Sequence, residues 1–313
     1  MVTRTLQTKV AKSRWTLSTL ATLALMVWGV AGAGNHRLWV TMLCLTLSTY
    51  LMVELNNANA LIRIYSRMVS GAFLVLTTVC MHQLADYGAS IVILCMAGFY
   101  TSLFRAYQDQ SAPGWVFYAF VCWGFSSVVW VQALYFLPLF WLLMGVTLRA
   151  WSARNFCASL LGLALPYGVL AAVLIMRDEL PQLLPHFSRL AHYSMPFDYA
   201  TLSIRQIVSL AFVLFCAFIG SVHFLRQSHN DNIRTRQYFY SFIIVDVVVF
   251  LCLCLQPQHY EALLAMMIVN TSPLIGHFLA LTHTKLTNMM FLFLSITSLL
   301  LVVYNLWQSF PTF

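Results

Sequence analysis

The sequence predicts an all-α fold: a polytopic transmembrane helix bundle of about eleven spans, with the N-terminus cytoplasmic and the C-terminus outside. Three observations predict it. The chain of 313 residues is 61% hydrophobic and 8% charged, whereas soluble domains average about half apolar and about a quarter charged. Apolar runs of about 20 residues, the length that crosses a hydrocarbon layer about 30 Å thick, repeat almost from end to end. The basic residues between those runs fall mainly on alternate loops, as cytoplasmic loops require.

Taken in order, the spans are expected at approximately 16 to 33, 38 to 55, 68 to 84, 88 to 104, 115 to 130, 132 to 148, 157 to 176, 206 to 225, 238 to 255, 261 to 276 and 287 to 307. The first follows Arg4, Lys9, Lys12 and Arg14 and ends in Ala31-Gly32-Ala33-Gly34, which superficially resembles a cleavable signal. Its apolar run is longer than the usual signal core, so it is expected to stay as a span. The stretch Trp115 to Leu148 is too long for one crossing and implies a tight pair or a re-entrant hairpin. The tenth span is short and holds Asn270 and Pro273, which predicts a break.

With the N-terminus inside, the inner segments collect Arg4, Lys9, Lys12, Arg14, Arg63, Arg67, Arg105, Arg149, Arg154, Arg226, Arg234, Arg236 and Lys285. The outer segments hold Arg37, Arg177, Arg189 and Arg205. Removing any middle span would reverse every later loop and spoil this bias, so charge supports the count independently of hydropathy. Trp15, Trp39, Trp115 and Trp307 near span ends suit an interfacial aromatic belt. The net charge of +8 is spread singly and not as a stripe or patch, which argues against nucleic acid as a partner and leaves the lipid bilayer.

The whole of 1–313 reads as one transmembrane domain, without a soluble domain, linker or repeat. Its longest external segment, about 177–205, lies on the outer face. There Leu180, Leu183, Leu184, Phe187 and Leu190 follow helical spacing, which predicts a short amphipathic helix on the outer leaflet, its start shaped by Pro181 and Pro185.

Ionisable groups within spans cost about 2.5–3.5 kcal/mol on insertion scales, so each invites a functional reading. Asp246, deep in the ninth span, is a proton or cation site or an anchor for a polar substrate group, or else an interhelical hydrogen bond or ion pair that fixes packing. Glu54, ending the second span, is expected to pair with Arg63 or Arg67. Asn270 is the polar group of the tenth span. His223, His277 and His283 near span ends are expected in packing or at the interface. They lack H-x-x-x-H or H-E-x-x-H spacing, so no metal site is expected. All eight Cys lie in apolar runs, where packing is their expected role, and Cys252 and Cys254 diverge on a helix. Ala97-Gly98 and Gly29-x-x-Gly32 read as helix-packing glycines.

The outer segment is the densest constellation: Arg177, Asp178, Glu179, His186, Arg189, His192, Tyr193, Asp198 and Arg205. Arg and His grip phosphate, and a carboxylate can act as base, although a solvated loop would carry the same residues. Asp86, Asp178 and Asp198 are the catalytic candidates; Arg177, His186, Arg189, His192 and Arg205 are the substrate-binding ones. No cofactor can be named from these residues.

Asn56-Asn57-Ala58-Asn59 followed by Arg63 and Arg67, Leu103-Phe104-Arg105, the Phe120 to Pro138 pair with Gly124, and Arg149, Arg154, Leu161-Gly162 and Pro166-Tyr167 together resemble a family of polytopic bacterial inner-membrane proteins that has no established activity. The resemblance covers most of residues 50 to 170. More distantly, the long helix followed by a Gly-containing short pair and a basic inner loop is similar to the middle of GT-C-type glycosyltransferases and glycan polymerases. That likeness implies a polyprenyl-phosphate-linked sugar as substrate, handled at the outer face by an acidic base in the first outer loop. Here that loop is Gly34-Asn35-His36-Arg37, without an acid, and the outward acids are Asp86, Asp178, Glu179, Asp198 and Glu261. Three classes of function follow: an enzyme or lipid-handling protein acting on polyprenyl-linked glycan, a non-catalytic subunit or scaffold of envelope assembly, and a transporter centred on Asp246 and Asn270.

Overall fold

The computed structural model describes residues 6–31, 38–81, 87–191, 196–199 and 202–307. Within them the regular structure is all helix: α1 (Leu6–Lys12), α2 (Thr16–Ala31), α3 (Leu38–Asn59), α4 (Met68–Val79), α5 (Tyr87–Leu103), α6 (Pro113–Val129), α7 (Leu137–Val146), α8 (Ala153–Met176), α9 (Leu183–Ser188), α10 (Ile204–Gln227), α11 (Ile233–Leu255), α12 (Tyr260–Leu281) and α13 (Lys285–Trp307). Seven helices, α3, α5, α8 and α10 to α13, the last residues of some being 3-10 turns, are long and apolar enough to cross a membrane. Four shorter apolar helices occupy the other expected spans, at Thr16–Val30, Met68–Val79, Pro113–Val129 and Val131–Val146. The chain is thus a multi-pass membrane protein. At a rise of about 1.5 Å per residue, α4 is too short to cross a layer of about 30 Å unaided.

Burial is arranged inside out for lipid. Leu161, Met176, Phe218, Leu286, Met289, Leu299 and Leu300 are among many large apolar side chains left exposed around the rim, more than a water-soluble surface tolerates. The interior is held by close fit, because lipid supplies no hydrophobic drive between helices. Around α5, Phe99 meets Phe140 at 4.4 Å between centroids and Phe104 stacks on Tyr238 at 4.1 Å. A Cβ at Gly162 of α8 would come within 2.5 Å of the Phe117 carbonyl oxygen of α6, and one at Gly220 of α10 within 2.6 Å of Leu274 of α12. The Gly124, Gly162 and Pro166 that carried the family resemblance are therefore the contact surface of α6 and α8. Gly98 likewise packs on Cys122, whereas Gly29 faces open space and is not the packing residue its spacing predicted.

Two expectations are corrected. α12 runs unbroken through Asn270 and Pro273. It packs against α4, α5, α10 and α11, and this enclosure holds the helix across the proline, as transmembrane helices permit. The external segment is not one amphipathic helix: it is a 3-10 turn at Leu180–Gln182, the short α9 and a second 3-10 turn at Arg189–Ala191. Leu184, expected on the packed face, is 77% exposed, while Leu183, His186 and Leu190 face the body. The Tyr135 hydroxyl donates to the Leu190 carbonyl, and His186 and Phe187 lie against Tyr167.

The stretch 115–148 is a tight pair, reversed at the extended Trp130 and pinned by the Trp123 indole N–H donating to the Ala133 carbonyl at 3.1 Å. Loops collect at two opposite ends. At the basic end, Gln7 of α1 donates to the Leu279 carbonyl and to Thr282, and Arg63 donates to the Asn230 carbonyl. At the other, Tyr199 donates to the Cys254 carbonyl and Tyr260 to the Gln206 carbonyl. Trp15, Trp39, Trp115 and Trp307 are exposed near helix ends, where interfacial tryptophans sit.

Candidate functional site

A row of buried polar groups is strung along α12, the most enclosed of the candidate membrane-spanning helices. At its start, the end opposite the basic loops, a cavity of about 350 Å3 is lined by Glu261, His259, Gln206, Gln258, Trp130 and Tyr87. Glu261 falls in the first turn of α12, where the amide dipoles favour a carboxylate. The Trp130 indole N–H donates to His259 Nδ1 at 3.4 Å, and the Gln258 amide nitrogen lies 3.2 Å from His259 Nε2. Tyr260, anchored on the Gln206 carbonyl, ties α10 to α12 across the cavity wall.

About 14 Å further along, at the helical rise, Asn270 and Thr271 meet two other helices. The Tyr100 hydroxyl donates to Asn270 Oδ1 at 2.6 Å, and Thr271 donates to Asp246 Oδ2 at 3.0 Å. Asp246 Oδ1 is buried and has no hydrogen-bond partner among the described residues. Among the described residues no cation pairs with Asp246. About 10 Å beyond, His277 Nε2 lies 3.0 Å from Asp231 Oδ2, both side chains almost wholly buried, with the His223 ring 5.5 Å from that of His277.

The expected external cluster does not converge in the same way. Arg177, Asp178, Glu179, Arg189 and Asp198 are exposed, and Arg177, Asp178, Glu179 and Arg189 form no ion pair among the described residues. Arg205 is half-buried, one residue before the cavity-lining Gln206. His186 is half-buried; burial holds its imidazole below the ordinary value, and Arg189 acts in the same direction. Asp86, His192, Tyr193 and the Gly34–Arg37 loop lie outside the described residues. Glu54 pairs with Arg105 at 3.2 Å, not with Arg63 or Arg67, because Arg105 at the end of α5 faces α3 while Arg63 reaches Asn230. Among the described residues no three His, Cys, Asp or Glu side chains gather as a metal site.

No family model, curated protein or solved structure matches the chain. The site therefore rests on its own geometry. Sequence reasoning singled out Asp246, Asn270 and His277 but missed His259, Tyr100, Thr271 and Asp231. His259-Tyr260-Glu261 at a span start and Asp231 within a basic loop were readable signals. The Tyr100 to Asn270 bond, 170 residues apart, left no local trace.

Proposed function

We propose that the chain is a bacterial inner-membrane protein that receives the polar head of a polyprenyl-linked glycan in the cavity at the start of α12, with that end outside. The cavity carries this reading: a carboxylate, an imidazole, two amides and aromatic faces around about 350 Å3 are the groups that bind a hydroxyl-rich head. The basic character of the opposite loops supports an N-terminus inside, a C-terminus outside and eleven crossings. The likeness to GT-C-type enzymes agrees with a site at the outer face, with Glu261 in place of the absent first-loop acid.

In a transfer reaction Glu261 accepts the proton of the acceptor hydroxyl while its oxygen bonds the anomeric carbon. The bond from that carbon to the lipid phosphate breaks, and the phosphate leaves with the electron pair. Arg205, beside Gln206, is the nearest candidate in sequence for stabilising that charge, with Arg177 and Arg189 further out. The test is Glu261→Gln, scored for surface glycan and for protein level in the membrane. Loss of glycan at normal protein level is expected, with Asp178→Asn and Asp198→Asn close to wild type. Normal glycan in Glu261→Gln would overturn the assignment, and normal glycan in every variant would favour a non-catalytic scaffold of envelope assembly.

A second reading, transport, is favoured by one observation: Glu261, the Asp246–Thr271 pair and the His277–Asp231 pair lie along a single enclosed helix, as proton relays do. Loss of function in Asp246→Asn with Glu261→Gln intact would favour it.

A further inference from the structure

The groove between α2, α3 and α4 is not used by either reading. Helices α2 and α3 both pack on α4 and leave a wedge of about 440 Å3 between them. Its depth is apolar, walled by Leu17, Leu25 and Leu74, and its basic end carries Arg14 and Arg67. Among the described residues no Asp or Glu lines it. Glu54 of α3, the acid closest in sequence to Arg63 and Arg67, is taken by Arg105. Arg67 lies 5.4 Å over the Tyr65 ring, and its buried Nη1 has no hydrogen-bond partner among the described residues. A buried guanidinium N–H left in that state is costly, and a phosphate oxygen is the acceptor that suits it best.

We infer that this groove is a resident site for one anionic glycerophospholipid, its phosphate held between Arg14 and Arg67 and its acyl chains filling the wedge between α2 and α3. Charge decides the occupant. Two cations facing no carboxylate select an anionic lipid over a zwitterionic one, and the apolar depth selects a lipid over free phosphate. Acyl chains in the wedge also supplement the sparse α2 to α3 packing, so the lipid steadies the N-terminal helix on the bundle.

Native mass spectrometry of the detergent-purified chain, with phosphatidylglycerol or phosphatidylcholine added, tests this. One phosphatidylglycerol is expected to remain bound with about thirtyfold preference over phosphatidylcholine, the scale of two basic residues facing an anionic surface. Arg14→Gln with Arg67→Gln should abolish the preference, and Arg14→Lys with Arg67→Lys should restore most of it. Leu25→Trp, which fills the wedge and leaves both arginines, should displace the lipid even if the arginine variants fold poorly. Phosphatidylglycerol but not inorganic phosphate should raise the midpoint of thermal unfolding. Equal retention of the two lipids, undiminished preference in the glutamine variant, or an equal shift with inorganic phosphate would overturn the inference.

Discussion

Tyr100, Asp246, Asn270 and Thr271 are all fully or nearly fully buried, so each substitution among them leaves a polar atom stranded in a dry interior. Hydrogen bonds between membrane helices contribute about 0.6 kcal/mol on average and up to about 1.7. Tyr100→Phe orphans Asn270 Oδ1 and is expected at the upper end of that range. Adding Asn270→Leu removes the orphan as well, so the double variant should cost less than the sum of the singles. Thermal unfolding in detergent measures both, and strict additivity would contradict the pairing. Glu54→Gln is the contrast: its pair with Arg105 is about one-third exposed on each side, and exposed pairs contribute about 0–1 kcal/mol. Residues of this kind divide what the sequence could and could not announce. A lone acid among valines, Asp246, declares itself by its cost. The partner that donates to its Oδ2, Thr271, is an ordinary residue until the helices are brought together.

Individual helices are placed by close backbone approach. Gly162→Leu forces a side chain into the Phe117 carbonyl and is expected to cost about 1–3 kcal/mol or more. Gly29→Leu meets open space and should be close to neutral; equal destabilisation of the two would contradict the packing. Docking of α9 depends on His186. Its folded value lies below the unfolded value of about 6.5, so the unfolded or undocked form binds protons more readily. The docked state is fully stable above about pH 6.5 and weakens as pH falls through the lower folded value. Amide protection factors of Leu183–Ser188 should therefore drop from pH 7.5 to pH 5, and His186→Phe should remove the dependence. Helix positions were legible because each apolar run maps to one helix, from Thr16–Ala31 to Lys285–Trp307. The continuity of α12 was not, since Pro273 breaks a helix only where neighbours fail to hold it. Docking of α1 through Gln7 was also invisible, because its partners lie more than 270 residues away.

At the scale of the whole molecule, an apolar rim surrounds a core in which α12 carries polar groups at its start, near its middle and towards its end. The loops are sorted to two ends, with Lys9, Lys12, Arg14, Arg63, Arg67, Arg105 and Lys285 at one and residues 177–191 at the other. The apolar rim identifies a membrane protein, and the threading proposed above, by the positive-inside rule, puts the basic end in the cytoplasm. The most direct measurement of that threading uses epitope tags inserted after Gln110 and after Gln182 in separate chains, probed with antibody on intact spheroplasts and again after permeabilisation. The account predicts that the tag after Gln182 is reached in intact spheroplasts and the tag after Gln110 only after permeabilisation. Equal access to both before permeabilisation, or the reverse order, would contradict it.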